Sequence, residues 1–203
     1  MSKIVMALLA AALWALPVAA KDDAASTIIL AGGCFWCVES DFDSVPGVLE
    51  TVSGYTGGTT LNPTYRQVGS KKTGHREAVR IVFDPSKVTY AQLLAAYWHS
   101  IDPTDAGGQF CDRGEPYNTA VFVLDGEQRK QAEASKAAAE KELGQKIVTT
   151  IEDAGPFYPA EEYHQDYYKK NLRTYQFYRW RCGRNQQVEK VWGEAAYSGM
   201  PNH

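Results

Sequence analysis

The chain has 203 residues, 44% of them hydrophobic and 22% charged, with 21 basic and 24 acidic side chains giving a formal net charge of −3. That is enough apolar material for a domain with its own core. The acidic balance and the lack of a long basic run exclude a nucleic-acid binder that works by charge.

Residues 1–20, "MSKIVMALLAAALWALPVAA", place Lys3 before an apolar run from Ile4 to Leu16, then Pro17 and small residues ending Val18-Ala19-Ala20. This is the layout of a secretory signal peptide, with Lys21 as the new N-terminus. The run is short for a membrane span, which needs ~20 apolar residues. The expectation is therefore an exported protein, in a bacterial periplasm, with residues 21–203 forming one domain. "STIILAGG" (26–33) reads as a buried strand ended by two glycines, and "CFWCVESDFDSV" (34–45) as a helix with Phe35, Val38 and Phe42 on one face. "GVLETVSGY" (47–55) and "EAVRIVFD" (77–84) alternate as strands, the second with Val79, Ile81 and Phe83 opposite Arg80. "TYAQLLAAYWHSI" (89–101) is a helix, "NTAVFVL" (118–124) a strand turned by Asp125-Gly126, and "EQRKQAEASKAAAEKEL" (127–143) an Ala-rich helix in which Lys136 and Glu140 can pair. "KIVTTIED" (146–153) is a last strand. Two long stretches, 54–76 and 102–117, fit no regular element and carry aromatics and polar groups, so they are expected to be functional. Residues 156–182 hold nine aromatics between Phe157 and Trp180 and should wrap the core.

The order strand, helix, strand, strand, helix, strand is the split β-α-β pattern. It predicts an α+β fold: a two-layer ferredoxin-like α/β sandwich with a mostly antiparallel mixed sheet and an aromatic-rich C-terminal extension.

Four cysteines in an exported chain suggest two structural disulfides. However, Cys34 and Cys37 close too short a loop to stabilise much, which favours a reactive pair. Cys34 lies where a strand ends and a helix begins, a place that favours a thiolate, and Gly32 and Gly33 allow close approach. Phe35 and Trp36 cannot both point into one core stripe, so one should flank the thiol and form an apolar wall. A thiolate attacking an oxygen-bearing centre needs a proton donor; Glu77, beside His75, is a candidate if burial raises its pKa. Tyr65, in "NPTY" of the first irregular stretch, and Tyr117, which ends the second, could hold a polar oxygen. His99 and His164 read as packing residues.

"GCFWCVE", "GYTGG", "NPTY", "TGHREAV", "FDP", "FCDRG" and "YHQDYYKKN" together resemble the A-type peptide methionine sulfoxide reductases, from about residue 27 to residue 172. The resemblance implies that Cys34 is the nucleophile on the sulfoxide sulfur and Glu77 the acid at its oxygen. It implies that Tyr65 and Tyr117 donate hydroxyls to that oxygen, that Phe35 and Trp36 cradle the S-methyl, and that Asp112 lies near the bound main chain or a site water. The substrate would be the S epimer of methionine sulfoxide, free or in proteins. Cys34 would become a sulfenic acid, condense with a second thiol, and be reset by a thioredoxin-like reductant, with no cofactor and no metal. The protein would act as a monomer, off the membrane once the signal is cleaved.

Many members of that family have glycine where this chain has Cys37 and carry a resolving cysteine in a glycine-rich tail. Here the tail reads "RWRCGRNQQVEKVWGE". Cys37 is favoured as the resolving thiol because it lies one turn from Cys34; Cys182 is the alternative, and Cys111 is read as structural. Two rivals stay open: a thiol–disulfide oxidoreductase acting on protein disulfides, and a zinc-binding or disulfide-stapled module built on Cys34 and Cys37.

Overall fold

The structure is a computed structural model and describes residues 25–201; the expected signal segment lies outside them. Chain order gives β1 (Ser26–Ala31), α1 (Phe35–Asp43), β2 (Val48–Thr56), α2 (Tyr65–Gly69), β3 (Arg76–Phe83), α3 (Tyr90–Trp98), β4 (Gly108–Gln109), β5 (Asp112–Arg113), β6 (Ala120–Val123), α4 (Gly126–Leu143), β7 (Thr150–Asp153), β8 (Tyr158–Pro159), α5 (Tyr167–Lys170), α6 (Leu172–Arg181) and α7 (Arg184–Trp192). Short 3-10 turns cover Glu115–Tyr117, Glu162–His164 and Gly193–Ala195.

The fold is α+β. Its main sheet has six strands in the order β7-β6-β1-β3-β2-β8. The neighbours run antiparallel except β6 and β7, which are parallel. β1 and β2 lie on either side of β3, so α1 crosses over one strand. The period-two patterns decide which face each side chain takes. Ile28, Leu30, Val79, Ile81, Phe83, Val121 and Val123 share the main core with residues of α1, α3, α4 and α7. The opposite face carries a smaller cluster of Ile29, Ala31, Ala78, Ala120 and Phe122, covered by Ala154 and Phe157. Arg80 and Arg76 lay their guanidiniums over Phe157 and Phe122 there.

The elements begin and end for local reasons. α3 opens on a Thr89–Gln92 capping box, and α4 is capped by Asp125 and stopped by Gly144 at φ 66°. The stretch 54–76 is less irregular than its composition suggests, because a Thr64–Gln67 capping box starts α2 inside it. The last strand is shorter than its pattern predicts. Before Thr150 the chain spends its polar groups elsewhere: Val148 N–H donates to the Pro103 carbonyl at 2.8 Å, and Thr149 O accepts from Lys136 Nζ at 2.7 Å. Lys136 and Glu140 therefore do not serve each other; Glu140 Oε1 instead accepts from Ile147 N–H at 3.0 Å.

The aromatic tail wraps the sheet edge, as its composition predicts. Gln165 bonds both backbone groups of Ser53, accepting from its N–H at 3.0 Å and donating to its carbonyl at 2.9 Å. Glu161 accepts from the Tyr55 hydroxyl at 2.8 Å and the Tyr65 N–H at 2.9 Å.

Candidate active site

Cys34 is the residue before the first turn of α1 and has no side-chain cap bond there. Gly33 brings the chain in at φ 83°, and a β-carbon on it would lie 2.6 Å from Gln109 Cβ, so glycine is required. The resulting turn leaves both thiols nearly covered: Cys34 is 7% and Cys37 2% exposed. They form one cluster with Tyr175, against which Trp36, Tyr167, Tyr168 and Tyr178 pack.

Burial sets the ionisation here, and it differs from the expectation for a helix start. The Cys34 thiol is pushed well up by burial first, then by its bond and charge interaction with Cys37 and by the charges of Glu77 and Asp112. Cys37 goes the other way, to about 7, because the Cys34 bond, Arg179 and Arg184 outweigh its own burial. The two thiols titrate as a pair, and Cys37 is the one whose surroundings favour the anion.

Glu77 shares the helix-side face of β3 with Val79 and Ile81, so it points at the start of α1. It is 2% exposed, and its Oε2 accepts from Phe35 N–H at 3.0 Å. Burial raises its carboxyl to about 8, partly opposed by the Phe35 bond and helped by Asp112 and Cys37. It is thus a proton carrier near neutral pH. Tyr65 and Tyr117 are both held as neutral phenols by burial and by the charges of Glu77, Cys34 and Asp112, which places the five groups in one small space. α2 supplies Tyr65 and the 3-10 turn after β5 supplies Tyr117.

Phe35 is almost fully buried (1% exposed), with its ring against Tyr55, Tyr65 and His164. Trp36 is the more open of the two. It stacks on Tyr167 at 3.7 Å and 6°, and Tyr178 meets its edge. Its indole N–H donates to His164 Nδ1 at 3.0 Å. His164, read from sequence as a packing residue, is a member of this wall, 4.3 Å from the Tyr65 ring. Burial lowers its pKa, keeping the ring neutral as that bond requires.

Asp112, on β5, accepts a short hydrogen bond from the Tyr178 hydroxyl, and burial raises its pKa. Cys182 Sγ lies 3.8 Å from its Oδ2. Cys182, the alternative resolving thiol, is disulfide-bonded to Cys111, which matches the structural reading of Cys111. Among the described residues the free cysteines are Cys34 and Cys37.

Sequence reasoning missed the group behind Cys37. Asp41, one turn further along α1, is fully buried and pairs with Arg179 at 2.6 Å and Arg184 at 3.5 Å. The i,i+4 spacing of Cys37 and Asp41 and the arginines around Cys182 were the available signals.

The chain's residues 26–196 match the family model described as peptide methionine sulfoxide reductase. It is 57% identical over 172 residues to "Peptide methionine sulfoxide reductase MsrA 2" of Rhizobium meliloti, covering 85% of this chain and 86% of that one. It is 56% identical over 169 residues to MsrA of Bacillus licheniformis, covering 80% and 91%. Among solved structures it is similar to Mxr1 of Saccharomyces cerevisiae in reduced form, with TM-score 0.72, 28% identity and coverage of 75% and 89%. Methionine sulfoxide reductase A of Corynebacterium diphtheriae gives TM-score 0.68, 32% identity and coverage of 75% and 77%.

Proposed function

The chain belongs to the peptide methionine sulfoxide reductase family, and from that premise we propose that it reduces the S epimer of methionine sulfoxide, free or in proteins, through Cys34. The observation that carries this reading is the buried group of Cys34, protonated Glu77 and the two phenols of Tyr65 and Tyr117. As Cys34 sulfur attacks the sulfoxide sulfur, its thiol proton passes to Cys37 and Glu77 gives its own proton to the oxygen, while Tyr65 and Tyr117 donate hydrogen bonds to that oxygen as charge builds on it. The oxygen passes to Cys34, which becomes a sulfenic acid as methionine leaves. Trp36, steadied by Tyr167 and His164, and the edge of Phe35 cradle the S-methyl, and Asp112 orients the rest of the ligand. Cys37 sulfur then attacks Cys34, water leaves, and a Cys34–Cys37 disulfide forms. A thioredoxin-like dithiol partner takes up that disulfide and restores both thiols.

The wider setting follows the same reading. Residues 1–20 act as a cleaved export signal and 21–203 as one catalytic domain that works as a monomer in the periplasm. The Cys111–Cys182 disulfide suits an oxidising compartment, and no helix among the described residues is long and apolar enough to cross a membrane.

The test is a single-turnover reaction without reductant on each epimer of a blocked methionine sulfoxide, with thiols counted afterwards. Consumption of the S epimer alone with two thiols lost per methionine is expected, and peptide mapping should find Cys34 joined to Cys37. No methionine from either epimer would sink the reading and leave the thiol–disulfide oxidoreductase in front.

A further inference from the structure

The structure offers a buried charge device that the reaction above does not use. Asp41, Arg179 and Arg184 form a buried ion group between α1, α6 and α7, in which Arg179 also donates to Asn185 and to the Tyr197 hydroxyl. Arg184, 1% exposed, donates to the Gly32 carbonyl and the Ser100 carbonyl, both at 3.0 Å. It therefore spans from the residue two before Cys34 to Asp41, under the first turn of α1. Arg179 donates to the Tyr175 hydroxyl at 2.9 Å, and Tyr175 packs directly on Cys34 and Cys37. The ion pairs set two guanidiniums on one carboxylate, so the group presents surplus positive charge to a thiol with almost no access to water. Burying a cationic side chain is costly, and an excess of one is best explained by a nearby anion that it serves.

We propose that Arg179 and Arg184, balanced by Asp41, are positioning residues that hold Cys37 as a thiolate and so prepare it to attack the Cys34 sulfenic acid. In that step Cys37 sulfur forms the S–S bond, the Cys34 S–O bond breaks, and the hydroxide leaves as water with a proton from solvent. The direction of the Cys37 shift agrees with this arrangement. The other titratable groups facing Cys37 are Cys34 on α1, Glu77 on β3, and Tyr175 and Tyr178 on α6. The two carrying protonated phenols and the protonated Glu77 add no charge near neutral pH. The proposal rests on Cys37 being the resolving thiol, but its test does not need turnover.

The experiment is an ultraviolet titration of thiolate absorbance in Cys34→Ser protein, whose hydroxyl still offers Cys37 a donor and whose Cys111–Cys182 pair is silent. Arg179→Gln should raise the Cys37 midpoint by about one pH unit or more, Arg179→Lys should restore it, and Asp41→Asn should lower it. In protein that keeps Cys34, Arg179→Gln should slow thiol loss at neutral pH about tenfold relative to methionine release, and higher pH should recover it. Damage to packing would move the Asn and Gln variants in the same direction. A midpoint that moves the same way in both, or that Arg179→Gln leaves in place, overturns the proposal. If the Asn variant does not fold, the Gln and Lys pair at the slightly exposed Arg179 decides alone.

Discussion

In the proposed reaction the Glu77 carboxyl supplies the proton while it accepts a hydrogen bond from the Phe35 backbone. The amide of Glu77→Gln can accept that bond but cannot give up a proton. Single-turnover methionine formation should therefore fall by about 100-fold or more, while the folded structure, followed by circular dichroism, stays unchanged. Because the carboxyl must be protonated and its pKa is raised to about 8, the rate of the first turnover should be flat below neutral pH and decline as pH rises through about 8. An unchanged rate in Glu77→Gln would remove Glu77 as the acid. Glu77 was legible in the sequence because the alternation of β3 and the neighbouring motif put it at a strand entry. The ionisation of the cysteines was not. A helix start favours a thiolate at Cys34, but burial, Cys37 and two acidic neighbours, Glu77 and Asp112, outweigh it, and neighbours distant in sequence cannot be read from local pattern.

At the scale of elements, α1 carries Phe35, Trp36 and Cys37 beside Cys34, and one liability. Glu39 is 1% exposed, and neither of its oxygens has a hydrogen bond of good geometry. Burial raises its pKa to about 7, more than the Asp166 backbone N–H can offset. The folded state thus keeps a proton that the unfolded chain releases above about 4.5. The corresponding stability is fully present below that pH and is lost as pH rises to about 7. Glu39→Gln should leave thermal stability unchanged near pH 4 and raise it by about 3 kcal/mol at pH 8; an equal effect at both would contradict this. The regular elements were readable from their periods, since Ile28, Leu30, Val79 and Ile81 take the faces that alternation assigns. The short ones were not: α2 hides in a polar stretch and is visible only through Thr64–Gln67, and β7 loses half its expected length to contacts with Pro103 and Lys136.

Across the whole molecule, the C-terminal half closes over the N-terminal Cys34 turn. His164, Tyr167, Tyr178, Arg179 and Arg184 all reach the first two turns of α1 from more than 120 residues away. Motif resemblance points to the Cys34 turn, but long-range packing of this kind leaves little local trace, so the sequence shows the tail as wrapping alone. The Cys111–Cys182 bond, 71 residues apart in sequence, pins the junction of α6 and α7 that delivers both arginines. Serine at both positions should lower unfolding free energy by about 2–4 kcal/mol in denaturant titrations. It should also leave the Cys34–Cys37 disulfide forming after turnover. Failure of that disulfide to form would return Cys182 to the resolving role.

The stacking of Trp36 on Tyr167, with its N–H bound to His164 and the thiol cluster alongside, gives the protein its own optical gauge. An indole in that position is quenched or brightened by whatever occupies the space above Cys34. Its emission should therefore change in separate steps as ligand enters, as methionine leaves and as the two sulfurs join. Trp36→Phe should silence those steps while leaving the light from the remaining tryptophans, so the catalytic cycle can be timed in unlabelled protein.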